Sequence, residues 1–357
     1  MADQSFDEGC SEAFAGRIMD VLNGAALALM TSIGHQVGLF DTMATLSPAT
    51  SQQIAGAAGL NERYVREWLG AMVTGGIVEL GSPTGTFVLP PEHAAWLTRA
   101  AGTNNLALPA QYIPLLAEIE QPLIDCFRHG GGVPYSEYPG FQRLMAEDSG
   151  AVHDAALIDT ILPMVPGLPE RLQDGIEVAD VGCGQGHAIN LMARAFPKSR
   201  FVGFDFSPDG IQAGRDEAGL LGLTNARFEE RDVTELGELD RFDLVTAFDA
   251  IHDQIQPAKV LDGIADALRG DGVFLMVDIG ASSNIHDNMD FPLAPFLYTI
   301  SCMHCMTVSL AHGGTGLGAM WGEQKAREML TEAGFRRIEV KRIPDDFLNS
   351  YYVATKG

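Results

Sequence analysis

From Asp20 to Phe40 the apolar residues Val21, Leu22, Ala25, Leu29, Ile33, Val37 and Phe40 recur at helical spacing, which predicts an amphipathic helix. Glycines scattered along so apolar a helix predict close approach of a second one. The next stretch, "SPATSQQIAGAAGLNERYVREWLGAMVTGGIVELGSPTGTFVLP", punctuates itself. Ser51 or Thr50 caps one helix and Gly59 ends it; Asn61 caps a second that runs to about Thr74, where Gly75 and Gly76 stop it. "GIVEL" and "TFVLP" flank the turn "GSPTG", so the unit reads helix, turn, helix, hairpin: a winged helix.

Residues 103–170 keep a helical pattern, interrupted by "HGGGVPYSEYPGF", and read as a connector. That stretch either hinges the connector or folds over a ligand, with Tyr135 or Tyr138 closing the site. From Ile176 strand and helix signals alternate: "IEVADVG", "HAINLMARAF", "RFVGFDF", "SPDGIQAGRDEAGLLG", "ARFEERDV", "RFDLVTAFDAI" and onward to "NSYYVATK". Strands rich in Val, Ile and Phe between helices predict an α/β domain with a mostly parallel sheet covered on both faces.

Composition narrows the partners. At 357 residues and 46% hydrophobic content the chain can bury a large core in about two domains. A formal charge of -24 disfavours the phosphate backbone, which needs clustered cations, so no nucleic-acid partner is expected. In the winged helix Arg63, Arg66 and Arg99 face Glu62, Glu67, Glu79 and Glu92. Five cysteines, at 10, 126, 183, 302 and 305, do not form a disulfide framework. The acidic start "MADQSFDEGC" and the lack of an uninterrupted apolar run of about 18 residues give a cytoplasmic expectation with no membrane segment.

The chemistry gathers at strand ends. Gly182, Gly184 and Gly186 sit between the strand ending at Val181 and the helix opening at His187, where missing side chains let backbone amides approach a ligand. The spacing G-x-G-x-G puts His187 where the dinucleotide pattern needs its third glycine, which disfavours a pyrophosphate. Asp205 ends the next strand and can accept both hydroxyls of a ribose. Asp232 can accept from an adenine amine while Val233 offers its amide, and Asp180 can face an ammonium.

With these residues in place, 176–357 resembles the class I S-adenosylmethionine-dependent methyltransferases. "VADVGCGQG" matches their first motif, Asp205 their ribose acid, Asp232 and Val233 their adenine pair, "RFDLVTAFDAIH" their fourth-strand motif, and "NSYYVATK" their antiparallel last strand. The resemblance implies a Rossmann-like sheet and S-adenosyl-L-methionine held by Asp180, Gly182, Gly184, Gly186, Asp205, Phe206, Asp232, Val233 and Phe248. It also implies the division 1–102 winged-helix dimerisation domain, 103–170 helical connector and 171–357 catalytic domain. A homodimer follows from its likeness to dimeric O-methyltransferases of small phenols, and the segment "YTISCMHCMTVSLAHGGTGLGAMWG" is similar to one in a group of little-defined bacterial methyltransferases with the same layout.

His252, four residues after Phe248, matches the base of the His-Asp-Trp segment in those enzymes, with Asp253 matching and Gln254 in place of Trp. His252 as base implies transfer to a hydroxyl or carboxyl oxygen of a hydrophobic, aromatic small molecule. The alternatives are an adenosylmethionine-sensing transcription regulator, or an N- or C-methyltransferase in which His252 is dispensable. Residues 281–322 are expected to wall an apolar pocket with Phe291, Phe296, Leu297, Met303, Met306, Leu317, Met320 and Trp321, or to pack elsewhere. No metal is expected: Cys302, His304 and Cys305 lack a fourth zinc ligand, and Asp249 with Asp278 lack a third for magnesium.

Overall fold

Gly38 adopts φ 71°, and this left-handed residue divides the expected helix into α1, Glu8–Gln36, and α2, Leu39–Thr45. The computed structural model describes residues 6–81, 83–344 and 346–357; the first five residues of the acidic start and Ser82 of the expected turn lie outside them. The chain forms two compact units, Met1–Pro114 and Leu115–Gly357.

In the first unit, Thr50 caps α3, Ser51–Ala58, in a reciprocal box with Gln53, and Asn61 caps α4, Glu62–Thr74. Strands β1, Glu79–Gly81, and β2, Thr86–Val88, pair antiparallel as the wing, and α5, Pro91–Leu97, follows. Phe40, Trp68, Leu69 and Met72 are buried in its core. A Cβ on Gly34 would lie 2.6 Å from the Trp68 ring, so glycine is what admits α4 against α1. Along α4, Arg63 pairs with Glu67 and Arg66 with Glu62, which turns its cations toward carboxylates on the same helix.

The expectation of no membrane-like segment needs qualifying. An 18-residue window of α1 has a mean hydropathy of 1.3 with none of it buried, enough by length and composition to cross a bilayer. Ala294–Ala311 reaches 1.2 with 44% of its window buried. Interrupted apolar patterns add up along a helix even where no uninterrupted run is long.

Helix α6, Tyr112–Ala117, precedes α7, Glu120–His129, and α8, Phe141–Val152, which continues as a π-helical segment through His153–Ile161 before α9, Leu168–Asp174. Then β3, Glu177–Val181, α10, His187–Ala195, β4, Arg200–Asp205, α11, Pro208–Leu220, β5, Ala226–Glu230, β6, Phe242–Phe248, α12, Pro257–Ala267, and β7, Leu268–Ile279, alternate as expected. Residues 281–322 carry structure of their own, α13, Ala294–Ile300, a π-helical segment Ser301–Cys305, and α14, Met306–Ala311. Helix α15, Gly322–Glu332, leads to β8, Arg337–Ile343, and β9, Asp346–Thr355.

The seven strands lie in the order β5-β4-β3-β6-β7-β9-β8. Only β9 runs antiparallel to its neighbours, β7 and β8. Strand order reverses between β3 and β6, so the crevice for a ligand opens at their carboxyl ends.

Candidate functional site

A cavity of about 440 Å³ occupies that crevice. On its β3 side the backbone of Gly182, Gly184 and Gly186 turns with φ of 74°, 54° and 73°. A Cβ on Gly186 would lie 2.2 Å from the Phe228 ring, so the loop can pack on β5 only as glycine. The Asp205 carboxylate accepts from Gly184 N at 2.8 Å and from Ser207 N at 2.8 Å, which ties the loop to the end of β4. Burial holds its pKa above the usual carboxylate value.

Asp180 is fully enclosed and accepts from Thr246 Oγ1 at 2.6 Å; burial pushes its pKa up to about 7. Asp232 caps the turn Val233–Glu235 through Thr234 N, and Val233 is buried beside it. Phe206 is exposed at 61%, and the edge of Tyr135 packs on it. Phe248 at the end of β6 carries the edge of His153, whose enclosed ring has its pKa lowered to about 4. All nine residues expected to hold a cofactor line this one cavity.

Across the cavity, beyond β6, the ring of His252 is 4% exposed. Its Nδ1 lies 2.8 Å from Asp278 Oδ1, which also accepts from Ile279 N at 2.8 Å and Trp321 Nε1 at 3.0 Å. Its Nε2 lies 3.2 Å from Asp253 Oδ1. Burial disfavours the imidazolium, yet the carboxylates of Asp278 and Asp253 outweigh it and raise the His252 pKa well above 6.5. Asp253, opposed by burial but held by the His252 charge, falls to about 2.

His252 does not itself line the cavity; Asp253 does, and stands between Nε2 and the open space. The adjacent pair meets side chain to side chain in the turn that follows β6. A second acid beside His252, Asp278, is brought over by β7. All three donors meet its Oδ1, while Oδ2 is buried with no hydrogen-bond partner among the described residues. Gln254, standing where the related segment has Trp, donates to Ala250 O at 2.8 Å.

None of the eight apolar residues expected to wall the pocket from 281–322 lines it. Trp321 joins the core of the sheet, and Leu297 and Met320 pack with Ala281. The segment instead presents His304, Val308 and His312. The His304 ring stacks on Phe141 at 3.5 Å between centroids, with Tyr135 and Tyr138 edge-on. Tyr138 spends its hydroxyl on Met303 O at 2.5 Å, so of the two tyrosines only Tyr135 reaches the cavity. Cys305, rather than a set with Cys302 and His304, lies with His252 and Asp253 such that all three donor atoms fall within 4.8 Å of one another. Burial pushes its thiol up to about 12.

Residues 172–334 match the family model described as a methyltransferase domain, and residues 25–99 match the Rv2258c-like winged HTH domain. Among curated proteins, the chain is 26% identical over 163 residues to trans-aconitate 2-methyltransferase of Afipia carboxidovorans, 45% of this chain and 56% of that one. It is 32% identical over 106 residues to a fatty-acid O-methyltransferase of Mycolicibacterium smegmatis, 29% of this chain and 38% of that one. The matches thus span about half or less of these relatives. Human N-acetylserotonin methyltransferase, solved in complex with SAM, superposes with a TM-score of 0.68 at 16% identity over 100% of both chains. Mitomycin 7-O-methyltransferase superposes with a TM-score of 0.71 at 18% identity over 98% of this chain and 100% of that one. The chain therefore joins a winged helix to a methyltransferase domain of the class I fold.

Proposed function

We propose that this winged-helix chain with a class I methyltransferase domain is an S-adenosyl-L-methionine-dependent methyltransferase acting on a hydroxyl or carboxyl oxygen of a hydrophobic, aromatic small molecule. The observation that carries the reading is the shared cavity. Nine residues suited to the cofactor, from four strand ends, line one space of about 440 Å³, and Asp253, backed by His252 and Asp278, borders the same space. The glycine cradle fits a ligand backbone where side chains would collide, and the Asp205 carboxylate keeps acceptor capacity for a ribose. The bound cofactor would supply an already electrophilic methyl group, leaving the chain to orient the acceptor and take its proton.

His252 is the proton acceptor in this reading. Asp278 holds Nδ1 in its protonated tautomer, so the lone pair sits on Nε2, and Asp253 stands between that nitrogen and the acceptor. Because both carboxylates favour imidazolium, the basic form gains population only as pH rises through the elevated pKa. Phe141, Phe206 and Tyr135 give the cavity flat apolar walls suited to an aromatic ring. The five cysteines are free, in keeping with a cytoplasmic protein.

A homodimer through the first unit completes the reading. Helix α1 leaves Phe14 and Leu22 66% exposed and Met19 60%, an apolar face that a second copy would cover. Analytical ultracentrifugation should give twice 38.3 kDa, and Phe14→Glu with Leu22→Glu should give the monomer. For the activity itself, calorimetry with adenosylmethionine followed by a screen of phenols and aromatic acids is the test. Failure to bind the cofactor would end the reading.

A further inference from the structure

Asp249, the residue after β6, has φ 50°, a backbone shape that L side chains other than Asn and Asp adopt rarely. Its N–H donates to Val277 O at 2.9 Å, which fixes the bend. Asp249 lines the cavity, and its Oδ1 is buried with no hydrogen-bond partner among the described residues. Strained backbone and an orphaned polar atom at one residue mark a group kept for a ligand. A Cβ on Gly182 would lie 2.5 Å from the Cβ of Ala250, so the next residue packs directly on the glycine loop.

The titratable groups facing this carboxyl are Asp278, His252, Asp346 and Asp148, of which only His252 favours its charge. Burial first, and Asp278 second, push it up to about 8. At neutral pH it is therefore an uncharged acid among acids. It lacks a cation.

We propose that Asp249 is the counter-ion of the cofactor's sulfonium: uncharged in the free protein, it releases its proton when that cation enters. The inference rests on the adenosylmethionine reading and assigns this residue a task within it. A sulfonium carries one positive charge and the thioether left after methyl transfer carries none, so a carboxyl at this place distinguishes donor from product by charge. On binding, the proton passes to buffer. Once the methyl has left, the sulfur is neutral, the carboxylate again faces carboxylates, and it regains a proton from solvent, which loosens the product.

Calorimetry of the full-length protein with adenosylmethionine and with S-adenosylhomocysteine, in two buffers of different ionisation heat, reads this directly. At pH 7 adenosylmethionine should release about 0.9 proton more than the thioether, falling to about 0.1 at pH 9. The affinity ratio of the two should rise about tenfold from pH 6 to pH 7 and level off above pH 8. Protons released by Asp180 or Asp205 toward groups common to both nucleosides cancel in the difference. Asp249→Asn should abolish the excess release while keeping the affinity for the thioether. Equal release by both nucleosides would overturn the proposal even if the variant failed to fold, as would an excess that survives in a folded variant. Binding of neither nucleoside would remove the cofactor reading itself, and this inference with it.

Discussion

The two sides of the cavity are built by different physics. On the β3–β4 side, backbone does the work: three glycines at positive φ, two amides on Asp205, and a turn capped by Asp232, all within short stretches of chain. On the β6–β7 side, side chains do it: His252, Asp278 and Trp321 meet from segments 26 and 43 residues apart, with Cys305 closing the group. A ligand common to a whole fold can be held by backbone that any sequence of the right glycines provides. A proton-transfer chain needs specific titratable atoms at hydrogen-bond distance, and only tertiary contact delivers those.

If this contrast is sound, substitutions on the two sides should separate binding from turnover. The largest effect falls to His252→Ala, which should lower kcat by about 10²–10⁴ and leave cofactor affinity unchanged by calorimetry. Unaltered turnover would move the acceptor side elsewhere and admit N- or C-transfer. Next, Asp205→Ala removes a buried charged acceptor, and cofactor affinity should drop about 10- to 100-fold, with kcat at saturating cofactor nearly kept. A loss confined to kcat would erase the distinction between the sides.

Asp278→Asn should act through pH. His252 has a raised pKa in the folded state, so its pairing stabilises the protein fully below about 6.5 and that stability is lost as pH rises through the folded value. The variant lowers the pKa, so the ascending limb of kcat, set by the free base, should move to lower pH. Its stability deficit against the parent, measured by urea melts, should be larger at pH 6 than at pH 9. The smallest effect is expected of Trp321→Phe, which deletes one donor to Asp278 and keeps the ring. Melts should show a loss of about 1.5–3 kcal/mol, with kcat within about tenfold.

Much of the fold was legible because each signal is local. Thr50, Asn61 and Ser207 cap helices through atoms two or three residues away. The central strands β3 and β6 are buried on both faces and so read as apolar runs. The acids of the cofactor side were legible for a related reason: each lies at or just beyond the end of a strand, and strand ends share one edge of a parallel sheet.

Legibility stopped where side-chain direction mattered. His252 was found as a residue, but nothing local shows that its ring points under the cavity floor while Asp253 faces the opening. The apolar residues of 281–322 could not be divided between core and cavity by hydropathy, since Trp321 and His304 differ in partners rather than in pattern. Trp321 carries no mark in the sequence of its bond to Asp278.

By itself, then, the sequence determined the elements, their order in the chain and the loop that can accept a ligand only as glycine, because those follow from backbone preference and period. The tertiary structure decided which acid holds His252, that Asp253 rather than His252 lines the cavity, and why Asp249 Oδ1 has no hydrogen-bond partner among the described residues. Hydrogen bonds and charge interactions fall off within a few ångströms, and those distances are set by how β6, β7 and α14 pack.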